Sequence, residues 1–211
     1  MSYSIEVPAW LKWAREIQAL AQTGKRYSVN DFQTERYERL MEIAAEIVAA
    51  ANGVEPEPIA RDFKAQTGYA TPHIDVRGAV FRDGKLLMVR ERIDGGWTMP
   101  GGWADVGDVP SEAAEREVWE EAGYRVKARK VVGVYDANRV EGWISLYHSY
   151  KLVFLCDLLS GEATPSNETS EVGFFGLDEI PANLSGERTP PRIIQDAFRV
   201  MREPDCPTIF D

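Results

Sequence analysis

Glu117, Glu120 and Glu121 stand at i, i+3 and i+4 in the stretch "REVWEEAGY", so a helix there carries all three carboxylates on one face. Two such charges about 5 Å apart repel by roughly 3 kcal/mol at an effective dielectric near 20, and by far less in open water. The arrangement is tolerable on a solvated surface and costly in a cleft unless cations sit among the carboxylates. Hard divalent ions such as Mg²⁺ or Mn²⁺ take oxygen ligands of this kind. A solvated face is the ordinary reading of an acidic helix. What precedes it argues otherwise. In "WTMPGGWADVGD", Gly101 and Gly102 permit close backbone approach, and a carbonyl there offers a further oxygen ligand. Asp108 is placed to fold back on Arg116, which would orient Glu117 and Glu120 through charge-assisted hydrogen bonds. Glu112 and Glu115 point elsewhere on the helix and read as surface.

The elements that must position these residues are legible from periodicity. The carboxylate helix runs from about Ser111 to Ala122 and is stopped by Gly123. Before it, "HIDVRGAVFRDGKLLMVRER" is two β-rich runs joined at Asp83-Gly84, a strong hairpin signal. After it come strands at "YRVKARKVVGVYD", "SLYHSYKLVFLCDLL" and "EVGFFGL", then a closing helix in "TPPRIIQDAFRVMRE". Strands interleaved with helices predict an α+β architecture, a mixed sheet sandwiched between helices.

Residues 1–54 have another texture. Trp10, Trp13, Ile17 and Leu20 recur at helical spacing with Gly24 as a stop. A second helix is capped by Asn30, with Gln33 three residues on, and carries Tyr37, Leu40, Met41, Ala44, Ile47 and Val48. These form a small helical hairpin domain. Residues 55–72, punctuated by Pro56, Pro58 and Pro72, read as a linker with one helical turn around Arg61 to Gln66, leaving 73–211 as the main domain. About 55 residues bury little alone, so the hairpin must pack on the rest of the chain or on a second subunit.

Composition bounds the function. The 211 residues are 44% hydrophobic and 27% charged, with a formal net charge of −10, so a dedicated DNA binder is not expected. No apolar run approaches membrane-spanning length, and "MSYSIEVPAWLKWAREI" lacks the pattern of a signal peptide. Cys156 and Cys206 lie far apart, as incidental thiols do in a reducing compartment, so a cytoplasmic protein is expected.

At the carboxylate helix the chain resembles a known family. Gly102, Asp108, Arg116, Glu117, Val118, Glu120, Glu121, Gly123 and Tyr124 follow the Nudix box, Gly-x5-Glu-x7-Arg-Glu-aliphatic-x-Glu-Glu-x-Gly-aliphatic, at seven of nine specified positions. The departures are Asp108 for Glu and Tyr124 for an aliphatic residue. With "RYSVNDFQTERYERLMEIA", "TPHIDVRGAVF" and "ETSEVGFFGLDEIPANLS", the likeness extends to the subgroup with a helical N-terminal extension, which includes enzymes described as CDP-choline or ADP-ribose pyrophosphatases.

The resemblance implies metal-dependent hydrolysis of a nucleoside diphosphate linked to another moiety, with Mg²⁺ or Mn²⁺ as cofactor and a homodimer as the assembly. It implies Glu117 and Glu121 as the main metal ligands, Glu120 sharing a site and the Gly101 carbonyl completing the shell. Arg116 would hold the helix carboxylates in place. The family's general base is either a helix glutamate or one from a later loop. Glu168 and Glu171 sit where a late glutamate is expected, with Glu171 favoured as ligand or base.

Arg77, Glu91, Arg92 and Asp136 are the candidate substrate contacts, with ion-pair, surface or turn roles as the ordinary alternatives; Asn138 goes with Asp136. His148 reads as a core or edge residue. Trp10, Trp13, Tyr27 and Tyr37 read as hairpin core, with base stacking or a dimer interface as the other uses. Two other functions fit less well. A nucleotide sensor on the same fold would usually have lost helix carboxylates, and an RNA-processing phosphohydrolase would call for a concentrated basic stripe.

Overall fold

The computed structural model describes residues 7–139, 146–186 and 188–211, which divide into two compact units. The first comprises residues 7–72 with 146–148, and the second the remainder from residue 73 on. No helix among the described residues is long and apolar enough to cross a membrane.

In the helical unit, α1 (Ala9–Arg26) and α2 (Asp31–Asn52) form the hairpin. Asn30 caps α2 by accepting a hydrogen bond from the Gln33 backbone at 2.9 Å, while the Gln33 side chain accepts from the Val29 N–H, a reciprocal capping box. Gly24 does not stop α1. It lies inside the last turn, where a Cβ would fall 2.2 Å from the Tyr37 ring, so glycine makes room for the aromatic against the helix. The tryptophan stripe supplies only part of the packed face of α1, since Ile17 lies against the hairpin core while Trp13 and Leu20 do not. Leu11, Ala14, Gln18, Ala21 and Gln22 face inward, and small residues let the helices approach closely. Trp13 is 59% exposed, Leu20 65% and Tyr27 70%, one face at heptad spacing that this unit leaves uncovered.

The stretch read as a linker holds a third helix, α3 (Pro56–Ala65). Its prolines sit in the first turn, where the backbone N–H groups have no intrahelical partner to lose. Phe63 anchors it in the cluster of Ala21, Met41, Ala44 and Ala45, a burial worth about 1.5–3 kcal/mol. Tyr147 packs edge-on to Phe63 at 6.1 Å, which draws residues 146–148 out of the strand expected there; Ser145 lies outside the described residues.

In the second unit the hairpin at Asp83-Gly84 forms as read, with both residues in the left-handed region (φ 53° and 73°). It joins β1 (His73–Arg82) to β2 (Lys85–Glu91). Two short strands follow, β3 (Trp97–Thr98) and β4 (Gly101–Trp103), then α4 (Pro110–Ala122), β5 (Tyr124–Asp136), β6 (Ser149–Gly161), β7 (Thr169–Phe175), α5 (Pro191–Arg202) and β8 (Ile209–Phe210). Among the described residues the sheet runs β3-β2-β1-β6-β5-β8, with β4 added to β1 and β7 to β2. The β1–β6 and β5–β8 pairs are parallel and the others antiparallel, so the sheet is mixed.

Alternation along the strands makes two cores. Val76, Val80, Leu87 and Val89 face α4, whose Ala113, Ala114, Val118 and Ala122 are buried on them. Ala79, Leu86 and Met88 face α5 through Ile193, Ile194, Ala197 and Phe198. The result is the α/β/α sandwich. Cys156 is a packing residue of the α4 side, its thiol pushed up to about 12 by burial, and both cysteines are free.

Candidate active site

Helix α4 places the carboxylates. Pro110 opens its first turn, and Gly123 closes it at φ 76° by donating its N–H to the Trp119 carbonyl. Val118 seats against β1 at Gly78, where a Cβ would lie 2.3 Å from the valine methyl. With Val118 and Ala122 turned into the core, Glu117 and Glu121 emerge along its edge beside β4. Glu121 is 5% exposed and accepts a hydrogen bond from the Gly101 N–H at 3.0 Å. Gly101 has φ 149°, and a Cβ there would lie 2.1 Å from the Val76 carbonyl oxygen; at Gly102 a Cβ would lie 3.0 Å from Glu117 Oε2. Close approach to the β1 backbone demands glycine at Gly101, whereas at Gly102 the Glu117 carboxylate alone would have to give way.

Arg116 folds as the spacing implied. Its Nη2 donates to Asp108 Oδ2 at 2.9 Å, and its Nη1 lies 3.0 Å from Glu117 Oε1 and 3.6 Å from Glu120 Oε2. The shorter Asp108 therefore reaches the guanidinium.

Gly101, Gly102, Arg116, Glu117 and Glu121 line a cleft of about 660 Å³, within the usual size range for a small-molecule site. Its floor is cationic. Arg77, 3% exposed, grips Asp75 with two hydrogen bonds of 2.7 and 3.0 Å, and Lys151 donates to the same carboxylate at 2.9 Å. Burial alone would push Asp75 up, but the two cations outweigh it and hold it below the usual range. The acidic wall behaves oppositely. Burial pushes Glu121 up to about 7, against the opposing pull of Arg77 and the Gly101 N–H. Burial also raises Glu117, with Glu120 adding to the shift, and raises Glu91.

The structure sorts the sequence candidates. Gly101, Arg116, Glu117, Glu121 and Arg77 line the cleft; Glu120 is half-exposed and is not among the lining residues. Glu171 is not brought there. It projects from β7, half-exposed, and pairs with Arg90 on the neighbouring strand at 2.6 Å. Glu168, just ahead of β7, lines the cleft instead. Arg92 is spent on the same loop: its N–H donates to the Glu168 carbonyl and its guanidinium reaches the Ser166 carbonyl. Glu91 is buried behind the wall, 3.1 Å from Arg188 Nη1, yet its Oε1 accepts no aligned hydrogen bond. Asp136 shapes a turn by accepting from the Asn138 backbone and side chain, and Ala137 rather than Asp136 borders the cleft. Glu168→Gln is accordingly expected to cost about 10²-fold or more in kcat, and Glu171→Gln less than about threefold. Steady-state kinetics of the two variants decides, and the reverse ranking would restore Glu171.

Asp75, Lys151, Asp94, Ser185, Arg188 and Trp103 also line the cleft and were not singled out from the sequence. A signal existed for two. Asp75 and Lys151 interrupt otherwise apolar strands in "HIDVRGAVF" and "SYKLVFLCD", and a charge in a buried strand needs a partner.

As they stand, no three acidic, histidine or cysteine side chains among the described residues converge into a preformed metal cluster. Glu121 is turned to Gly101 and Glu117 to Arg116. The donor set nevertheless fits a hard divalent cation: it is oxygens only, and burial disfavours the charge that a cation would stabilise.

Comparison with known proteins identifies the family. A family model described as a UDP-X-like N-terminal oligomerisation domain matches residues 8–63, and the NUDIX domain model matches residues 71–197. YjhB of Bacillus subtilis (strain 168), provisionally named an ADP-ribose pyrophosphatase, is 37% identical over 202 residues, which is 96% of this chain and 97% of that protein. A crystal structure of a UDP-X diphosphatase superposes with a TM-score of 0.62 at 30% identity, covering 96% of this chain and 98% of its own. An ADP-ribose pyrophosphatase from Streptococcus suis 89-1591 superposes with a TM-score of 0.60 at 36% identity, covering 67% of this chain and all of its own. With the NUDIX model spanning more than half of its length and a relative aligned almost end to end, the chain belongs to the Nudix hydrolase family.

Proposed function

We propose that the chain hydrolyses the diphosphate of a nucleoside diphosphate joined to a further group, with a nucleotide sugar of the ADP-ribose kind as first choice and CDP-choline or a uridine conjugate as alternatives. The observation that carries this reading is the cleft itself, with Glu117, Glu121 and Glu168 on one wall and the buried Arg77 and Lys151 on the floor. Because the lining carboxylates outnumber its cations, an anionic guest would enter with a bridging divalent cation, and the cleft's size suits a small conjugate rather than a polymer.

Glu117, Glu121 and the Gly101 carbonyl would hold Mg²⁺ or Mn²⁺. Bound there, such an ion would neutralise diphosphate oxygens and acidify the attacking water. Glu168 takes the water's proton as the oxygen attacks one phosphorus. The anhydride bond breaks, releasing a nucleoside monophosphate and the phosphorylated partner group. Arg116, braced by Asp108, keeps Glu117 aimed inward, and Arg77 supports the charged form of Glu121. The uncovered face of Trp13, Leu20 and Tyr27, in the segment matching an oligomerisation domain, supports a homodimer.

The test is phosphate release, coupled to a phosphatase, across ADP-ribose, CDP-choline and UDP-sugars with Mg²⁺ or Mn²⁺. Turnover of one conjugate that EDTA abolishes is the expected result. Tight binding without turnover across the panel would overturn the enzymatic reading in favour of a sensor.

A further inference from the structure

We infer that Trp103 is the stacking surface for the substrate's nucleobase, an inference that rests on the reading of the site as a nucleotide-conjugate pyrophosphatase. Trp103 ends β4 and is 53% exposed although it lines the cleft. Among the described lining residues it is the one aromatic side chain. An indole left half in water at a ligand site offers a large π-face and gives up unfavourable hydration when a flat ring covers it.

The ring is oriented in advance. His73 meets it perpendicularly, with centroids 5.5 Å apart and planes at 88°. A perpendicular contact covers at most one face of the indole and leaves the other available for a parallel partner. Strand register then fixes which end of the cleft this is. Gly101 pairs with Arg77 and Trp103 with Asp75, and Asp75 pairs in turn with Lys151 on β6. Trp103 therefore stands two residues, about 6.6 Å, along the strand from Gly101 at the carboxylate wall. That separation is comparable with the span of one ribose. A diphosphate held at the wall, with its nucleoside running along β4 toward the N-terminal end of β1, brings the base to the indole. The lining residues Asp94, Ser185 and Arg188 are charged or hydroxylated, which suits the sugar phosphate or other polar partner group and not a base. Stacking accepts any base, so this surface supplies affinity common to adenine, cytosine and uracil conjugates and leaves discrimination to other contacts.

The experiment compares the full chain with Trp103→Ala, Trp103→Phe and Trp103→Leu on the preferred conjugate, and measures inhibition by AMP or UMP and by ribose 5-phosphate. Trp103→Ala is expected to raise KM and the nucleotide inhibition constant by about tenfold or more, with the loss on KM rather than kcat. Phenylalanine should restore most of the affinity and leucine should not. Inhibition by ribose 5-phosphate, which has no base, should stay as in the parent. Parallel loss of both inhibitors, or no loss of either, would overturn the assignment. If the alanine variant does not fold, the phenylalanine and leucine pair carries the comparison. If the parent turns over no conjugate, the hydrolase reading fails by itself. Calorimetric AMP binding then judges the stacking: weakening by leucine but not by phenylalanine supports it, and equal binding overturns it.

Discussion

Glu121→Gln is expected to lower kcat by about 10³-fold while leaving the fold intact, because the amide oxygen can still accept the Gly101 N–H but brings no negative charge to the cleft. The same variant tests the electrostatic account through stability. Without a metal, burial pushes the Glu121 carboxyl up to about 7, from an ordinary glutamate value of 4.5. Between those values the folded chain keeps a proton that the unfolded chain has released. The folded state thus binds more protons, and its stability falls as pH rises from about 4.5 to 7. The fall attributable to this group is at most about 3 kcal/mol. Glu117 and Glu91 are shifted in the same direction, so the informative quantity is the difference between parent and variant. In EDTA, Glu121→Gln should be the more stable protein above pH 7 and nearly equal to the parent below pH 4.5. Urea unfolding across that range measures it. A variant retaining a tenth or more of the parent's kcat would remove Glu121 from the chemistry, and an unchanged pH slope would show that another carboxyl carries the shift.

Much of this was legible in the sequence, and what was not has physical causes. The carboxylate helix, its glycine stop, the Asp83-Gly84 turn and the Asp108–Arg116 contact depend on neighbours within a few residues, so spacing reports them directly. Gly24 and the first-turn prolines of α3 misled for one reason. Each obeys a local rule, but Tyr37 and Phe63, which decide their environment, are placed by tertiary packing. The tryptophan stripe of α1 was read as core because periodicity shows that a helix has an apolar face without saying what covers it. Here alanines make the close contact with Ile17 beside them, and Trp13 and Leu20 are left over.

The choice between Glu168 and Glu171 could not be read from spacing, since three residues separate them and either could reach the cleft. What favours Glu168 is Arg90, a cross-strand partner of Glu171 visible only once β2 and β7 are paired. The cationic floor was hidden for a similar reason. Asp75, Arg77 and Lys151 come from two strands whose parallel pairing sets Asp75 opposite Lys151 at a sequence separation of 76.

That floor carries the largest stability effect. Arg77→Met should cost about 3–5 kcal/mol, a large fraction of an ordinary domain's stability. The side chain is buried and saturated by structure. Its Nε and Nη2 hold Asp75, and its Nη1 donates to the Met99 carbonyl at 3.1 Å, tying β1 to the chain just before β4. Methionine fills part of the volume but leaves Asp75 sharing its buried charge with Lys151 alone. Arg77→Lys should fall between, because an ammonium keeps the charge and cannot reproduce the fork that reaches Asp75 and Met99 together. Activity should report the same loss in a different way. Arg77 opposes the upward shift of Glu121, so its removal drives that carboxyl above about 7 and moves the acid limb of the kcat/KM profile to higher pH. Chemical unfolding of the three proteins, with pH–rate profiles of whichever variants fold, tests both halves. A loss under about 1 kcal/mol with an unmoved acid limb would mean that Lys151 alone balances Asp75 and that Arg77 is dispensable to the floor.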